Sequence, residues 1–162
     1  MLERATGSHP MTDAELALFN ESLTRCTSNP QFLERFYALF LASSDEVRHK
    51  FSQTDFQKQR RLLQASFYMV MLAVDGYPEG TVHLERLADL HSQRHLDIPP
   101  HLYDLWLACL LQAVREYDGQ WTPETESLWQ RMMANGIAFM KARYHARAEQ
   151  HTQQGQECND HC

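Results

Sequence analysis

The sequence has no excess of positive charge. Fifteen Lys and Arg stand against 21 Asp and Glu, which gives a formal charge of −6 and a pI near 5.8. Nucleic acids and anionic membrane surfaces attract basic patches, so this balance argues against both as partners. Long hydrophobic runs are missing too. The longest, from Phe67 to Val74, has eight residues, whereas a membrane-spanning helix needs about 20. No apolar stretch follows the charged residues of MLERATGSHPM, so no export signal and a cytoplasmic setting are expected. The four cysteines, Cys26, Cys109, Cys158 and Cys162, form no regular framework, and free thiols are expected. No segment shows sustained period-two alternation between turn residues, so no strand is assigned.

What is present is an ordinary globular composition. The 162 residues are 43% hydrophobic and 22% charged, enough for one domain with its own core. At that length no added reductase, kinase or output module is expected. Six glycines and six prolines act as punctuation between helices. Thr12 with Glu15 reads as a capping box opening a first helix that runs to about Cys26. Asn29-Pro30 opens a second, whose Phe32, Leu33, Phe36, Tyr37, Phe40 and Leu41 make one broad apolar face. Residues 44–51 read as a helical turn and a corner. Thr54 with Gln57 reads as another capping box, for a helix reaching about Val74 and stopped by Asp75-Gly76-Tyr77-Pro78. A short helix follows from about Thr81 to Gln93. Pro99-Pro100 opens a long one ending near Tyr117. Thr122-Pro123-Glu124 caps the last, which passes Leu128, Met132, Met133, Ile137 and Met140 and ends near Ala146. The expected organisation is a loose start over residues 1–11, an all-α domain over 12–148 and a disordered polar tail over 149–162.

Leu84, Leu87, Ala88 and His91 fall at i, i+3, i+4 and i+7, so His91 shares the apolar face of its helix. A core histidine satisfied by a backbone carbonyl would read the same way. A neutral imidazole on an apolar wall is also what axial iron ligation needs.

The run Leu87-Ala88-Asp89-Leu90-His91-Ser92-Gln93-Arg94-His95 resembles the proximal helix of globins, with its L-A-x-x-H-x-x-x-H pattern. Phe36-Tyr37 precedes Phe51 by fifteen residues counted from Phe36. That is similar to the distal tyrosine and corner phenylalanine of bacterial single-domain and flavohaemoglobin-type globins. Gln59-Arg60-Arg61-Leu62-Leu63 resembles their distal Q-R-x-x-L pattern, and Gln59 precedes His91 by thirty-two residues. The likeness extends over about Thr12 to Ala146.

The resemblance implies a globin fold around haem b. It makes His91 the iron ligand, with His95 as the competing choice. Tyr37 and Gln59 become the distal donors to bound gas, since dioxygen gains negative charge on binding ferrous haem and accepts hydrogen bonds. Phe40, Phe51, Leu63 and Tyr103 would line the pocket, and Arg60 and His95 would approach the propionates. Read without the family, Tyr37, Phe40, Phe51 and Leu63 are plain core, and Gln59 and Arg60 belong to a solvated face with Lys58 and Arg61. The methionines of the last helix read as core, and Cys158 to Cys162 as tail composition. The family places a glutamate beside its proximal histidine where Tyr144 stands here, which favours dioxygen binding over oxidation of nitric oxide. The implied function is reversible binding of dioxygen, nitric oxide or carbon monoxide for storage, delivery or sensing. The alternatives are a nitric-oxide dioxygenase served by a separate reductase, and a haem-free docking module.

Overall fold

The computed structural model describes residues 10–92 and 95–157, and the side chains of residues 145–157 are outside the description. The described residues form seven helices and no strand: α1 (Asp13–Thr27), α2 (Gln31–Ser43), α3 (Asp45–Lys50), α4 (Phe56–Val74), α5 (Pro78–His91), α6 (His101–Tyr117) and α7 (Pro123–Glu157). The expectation of an all-α chain thus holds. Among the described residues no helix is long and apolar enough to cross a membrane.

Local chemistry sets most boundaries. Thr12 and Glu15 form the reciprocal capping box of α1. The Asn29 side chain accepts from the Gln31 amide at 2.9 Å where α2 opens. At α4 the cap is Asp55, not Thr54. The Asp55 carboxylate accepts from the amides of Gln57 and Lys58 at 3.1 and 3.3 Å, and a full negative charge there outcompetes a hydroxyl. Pro78 stops α4 and also starts α5, because its fixed φ and missing amide suit a first helical turn. The helix therefore begins three residues before the expected Thr81. The last helix runs past Ala146 to Glu157, into the stretch expected to be irregular. Alanine, arginine, glutamine and glutamate make up most of residues 146–157 and proline does not occur there, so good helix formers carry the helix on through Gly155. The loose start expected for 1–11 lies almost entirely outside the described residues, as do Cys158 and Cys162; Cys26 and Cys109 are free thiols.

Helix α5 packs against both α4 and α7, while α2 packs on α6. Trp129 of α7 is the centre of the main core. Its ring lies 4.8 Å from Phe19 and 5.7 Å from Phe67 between centroids, and it is fully buried. The indole needs an acceptor in that setting. Trp129 Nε1–H donates to Ser22 Oγ at 2.8 Å, and Ser22 donates to Asp118 Oδ2 at 2.6 Å. Arg25 closes the chain with two bonds to the same carboxylate, at 2.6 and 3.0 Å. This network joins α1 to α7 and to the α6–α7 corner. Burial pushes the Asp118 carboxyl up, yet the bonds from Arg25, Ser22 and the Gln120 amide together hold it below its usual range.

Gly80 sets the approach of α5 to α4. A Cβ there would sit 2.5 Å from Met69 O and 2.7 Å from Ala73 Cα, and closer still to Ala73 N. Those are backbone atoms, which cannot swing aside. Gly136 of α7 is different, since its nearest neighbours would be Val70 and Leu84 side chains at 3.6 Å and beyond.

Two outcomes follow from this packing. Asp118→Ala is expected to destabilise the protein by about 1–3 kcal/mol in denaturant unfolding, because it strands buried donors. The folded carboxyl ionises below its ordinary value of 3.8. Its contribution is therefore full above that value and is lost as pH falls through the folded pKa. The acid limb of the wild-type stability profile should be steeper than the variant's, and equal slopes would remove Asp118 from this role. Gly80→Ala is expected to cost about 1–3 kcal/mol or more by overpacking, whereas Gly136→Ala should fold with near wild-type stability. Equal thermal midpoints for both variants would contradict the close approach at Gly80.

Candidate functional site

The first half of the site is an aromatic cluster where α2, the end of α3 and the start of α4 meet. Tyr37 and Phe40 face the core from α2, Phe51 caps α3, and Phe56 opens α4. Tyr37 lies 6.0 Å from Phe51 and 5.4 Å from Phe56 between ring centroids, and Phe40 lies 5.8 Å from Phe51. Tilted and edge-on contacts of this kind are the favoured aromatic geometry. Burial pushes the Tyr37 phenol up to about 12, against a smaller opposing pull from a hydrogen bond with Gln59 and from the charge of Arg60. Tyr37 is therefore a protonated O–H at any ordinary pH. Gln59 and Arg60 reach it from the first turn of α4, and Arg60 is also 4.0 Å from Glu34. Leu63, one turn further along α4, is partly buried against the main core.

The second half is the end of α5. His91 is half-buried, and its Nδ1 lies 2.7 Å from the Leu87 carbonyl oxygen one turn back. A carbonyl can only accept, so Nδ1 carries the hydrogen and Nε2 keeps its lone pair. Burial lowers the pKa of the ring, and the Leu87 bond opposes this only in part. His91 is thus a neutral imidazole with a fixed tautomer, the form in which histidine binds a metal. On the same helix, Ala88 packs with Tyr103 and Met140, joined by Leu87, Ile98, Ile137 and Phe139. Burial pushes the Tyr103 phenol up to about 12 as well.

The structure therefore brings Tyr37, Phe40, Phe51, Gln59 and Arg60 into one neighbourhood. Tyr103 is placed with the inner face of α5. His95 is not gathered with either group: it lies exposed in the turn after α5, its amide donating to Ser92 O at 3.0 Å. The Tyr144 hydroxyl donates to Asp97 Oδ1 at 2.7 Å, in the turn that follows α5.

Two participants escaped the sequence reading. Phe56 was hidden by the assignment of the α4 cap to Thr54. Asp97 adopts a left-handed backbone, φ 48°, a conformation in which Asp and Asn are enriched; an Asp just before Ile98-Pro99-Pro100 was the available signal. Among the described residues no group of three or more His, Cys, Asp or Glu could hold a metal ion. The tail residues Cys158, His161 and Cys162 lie outside the description.

A sequence model of the globin family matches residues 34–140. Among solved structures, the chain is similar to protein PA3967 of Pseudomonas aeruginosa PAO1, described as structurally highly homologous to a human haemoglobin. The two share 38% identity and a TM-score of 0.76, over 80% of this chain and 98% of that one. No curated protein matches the sequence. The family match spans most of the chain and includes both halves of the site, and the solved relative extends the likeness to 80% of it: this chain belongs to the globin family.

Proposed function

We propose that the protein holds haem b through His91 and reversibly binds a diatomic gas, dioxygen foremost, for storage, delivery or sensing in the cytoplasm. The observation that carries this reading is the 2.7 Å contact between His91 Nδ1 and the Leu87 carbonyl. It leaves Nε2 as a neutral donor, the chemistry a haem iron requires of its protein ligand. Haem, when bound, supplies the iron at which a gas molecule can coordinate. The remaining work belongs to side chains. Tyr37 and Gln59 offer a phenol O–H and an amide N–H to a ligand that gains negative charge, and the burial that keeps Tyr37 protonated keeps it a donor. Phe40, Phe51 and Leu63 keep water away from that region. Arg60, partly exposed beside it, would pair with a propionate, and His95, exposed in the turn after α5, would serve the same end.

The same residues could serve oxidation of nitric oxide with a separate reductase. The partner of His91 separates the two uses. Its Nδ1–H goes to a neutral carbonyl, so the ring gains no anionic character, and that favours holding a gas over activating it. A stopped-flow mixture of the oxygenated protein with nitric oxide, in cell extract, would show repeated turnover if the enzymatic use were correct.

Protein purified from haem-supplied cells is expected to be red, with a strong Soret band; colourless protein would contradict the proposal and favour a docking module. His91→Ala should lose most of its haem and melt at a lower temperature, because haem stabilises only the folded state. His95→Ala should retain haem, and the reverse pattern would show the wrong histidine has been assigned. Tyr37→Phe should speed dioxygen release by on the order of ten- to a hundredfold, the effect of losing a charge-assisted hydrogen bond of about 1.5–3 kcal/mol. An unchanged off-rate would remove Tyr37 from contact with the ligand.

A further inference from the structure

Helix α5 ends on the residue that matters most, and a helix end is where carbonyls lose their partners. The turn that follows supplies replacements. Leu96 N–H donates to Leu90 O at 3.0 Å, Asp97 N–H to Ser92 O at 3.0 Å, and Ile98 N–H to His91 O at 3.1 Å. The last of these ties the backbone of His91 directly to the turn. Asp97 is the residue that lets the chain reverse, through its left-handed backbone. Such a conformation persists when its surroundings hold it.

Two other helices hold this turn. Tyr144 of α7 donates its hydroxyl to the Asp97 carboxylate at 2.7 Å, and Lys50 at the end of α3 donates to the Leu96 carbonyl at 3.3 Å. The Tyr144 bond is the stronger, being short and charge-assisted. Ile98 then packs against the cluster of Ala88, Tyr103 and Met140, so the turn is fixed on its apolar side as well.

We propose that Tyr144 is a positioning residue for His91: by holding Asp97 it fixes the turn whose Ile98 amide bonds the His91 carbonyl, and so sets the orientation of the imidazole. The proposal rests on the reading of His91 as the iron ligand. It gives the last helix a part in the site that does not require contact with the imidazole.

The experiment compares wild type, Tyr144→Phe, Asp97→Asn and Lys141→Ala. Lys141→Ala, on the same helix as Tyr144, breaks an exposed pair with Asp104 of α6. Two readouts are needed: hydrogen exchange at the Ile98 amide, in haem-free and haem-loaded protein, and the iron–histidine stretching band of the ferrous, ligand-free form. Tyr144→Phe should speed Ile98 exchange about tenfold, as loss of one good hydrogen bond allows, and should shift the band while haem is retained. Asp97→Asn keeps an acceptor oxygen and tolerates the left-handed backbone, so its changes should be smaller. Lys141→Ala should leave both readouts at wild type. Faster exchange with an unmoved band would overturn the link to His91, and unchanged exchange would overturn the clamp itself. A general acceleration at all amides would show that Tyr144 is only structural. Should the wild type take up no haem, the proposed function fails by itself, and unchanged Ile98 exchange in that haem-free protein would overturn the clamp separately.

Discussion

One hydrogen bond governs the chemistry available to this protein: the His91 imidazole donating to the Leu87 carbonyl one turn back on its own helix. It fixes which nitrogen carries the proton, while burial, outweighing the pull of that bond toward the charged form, keeps the ring neutral. The rest of α5 serves to hold that ring in place. At the start of the helix, Gly80 lets α5 come within backbone contact of α4. In the middle, Leu84 and Ala88 are buried, with Leu84 near Gly136 of α7. At the end, the turn through Asp97 and Ile98 bonds the helix terminus. A helix fixed at three points presents its last side chain with little freedom, which is what a ligand site built on rigid elements requires.

The other part of the candidate site is the aromatic cluster around Tyr37. Tyr37 is packed among Phe36, Phe51 and Phe56, and the phenol stays protonated because its ionised form would be buried without water. The groups available there are neutral donors, with Arg60 at the rim. Neutral donors suit a ligand that acquires partial negative charge, and they discriminate poorly in favour of one that does not. Under the proposed function the two groups would serve one chemistry: a neutral nitrogen at His91 and hydrogen-bond donors at Tyr37 and Gln59.

Much of this was legible in the sequence. The apolar spacing from Leu84 to His91 placed the histidine on the inner face, and Thr12, Asn29 and Pro123 marked helix starts that the structure keeps. The distances in sequence from Tyr37 and Gln59 to His91 carried the family likeness, which the comparison with known proteins establishes. Other features were not legible, for physical reasons. The network of Ser22, Arg25, Asp118 and Trp129 joins residues about a hundred positions apart, and no local pattern encodes such a pairing. The cap at Asp55 was missed because Thr54 and Gln57 offer a weaker version of the same motif one residue earlier. The Tyr144–Asp97 bond depends on how α7 crosses the end of α5, a matter of tertiary packing. The extension of α7 to Glu157 draws on the helix propensity of its Ala, Arg, Glu and Gln residues, which the low hydrophobicity and lack of period in that stretch conceal.

The most direct test of the central claim is resonance Raman spectroscopy of the ferrous, ligand-free protein carrying 15N-labelled histidine. The account predicts an isotope-sensitive iron–histidine band that disappears in His91→Gly and returns when free imidazole is added to that variant. A band that persists in His91→Gly, or wild-type protein that carries no haem to observe, would contradict it.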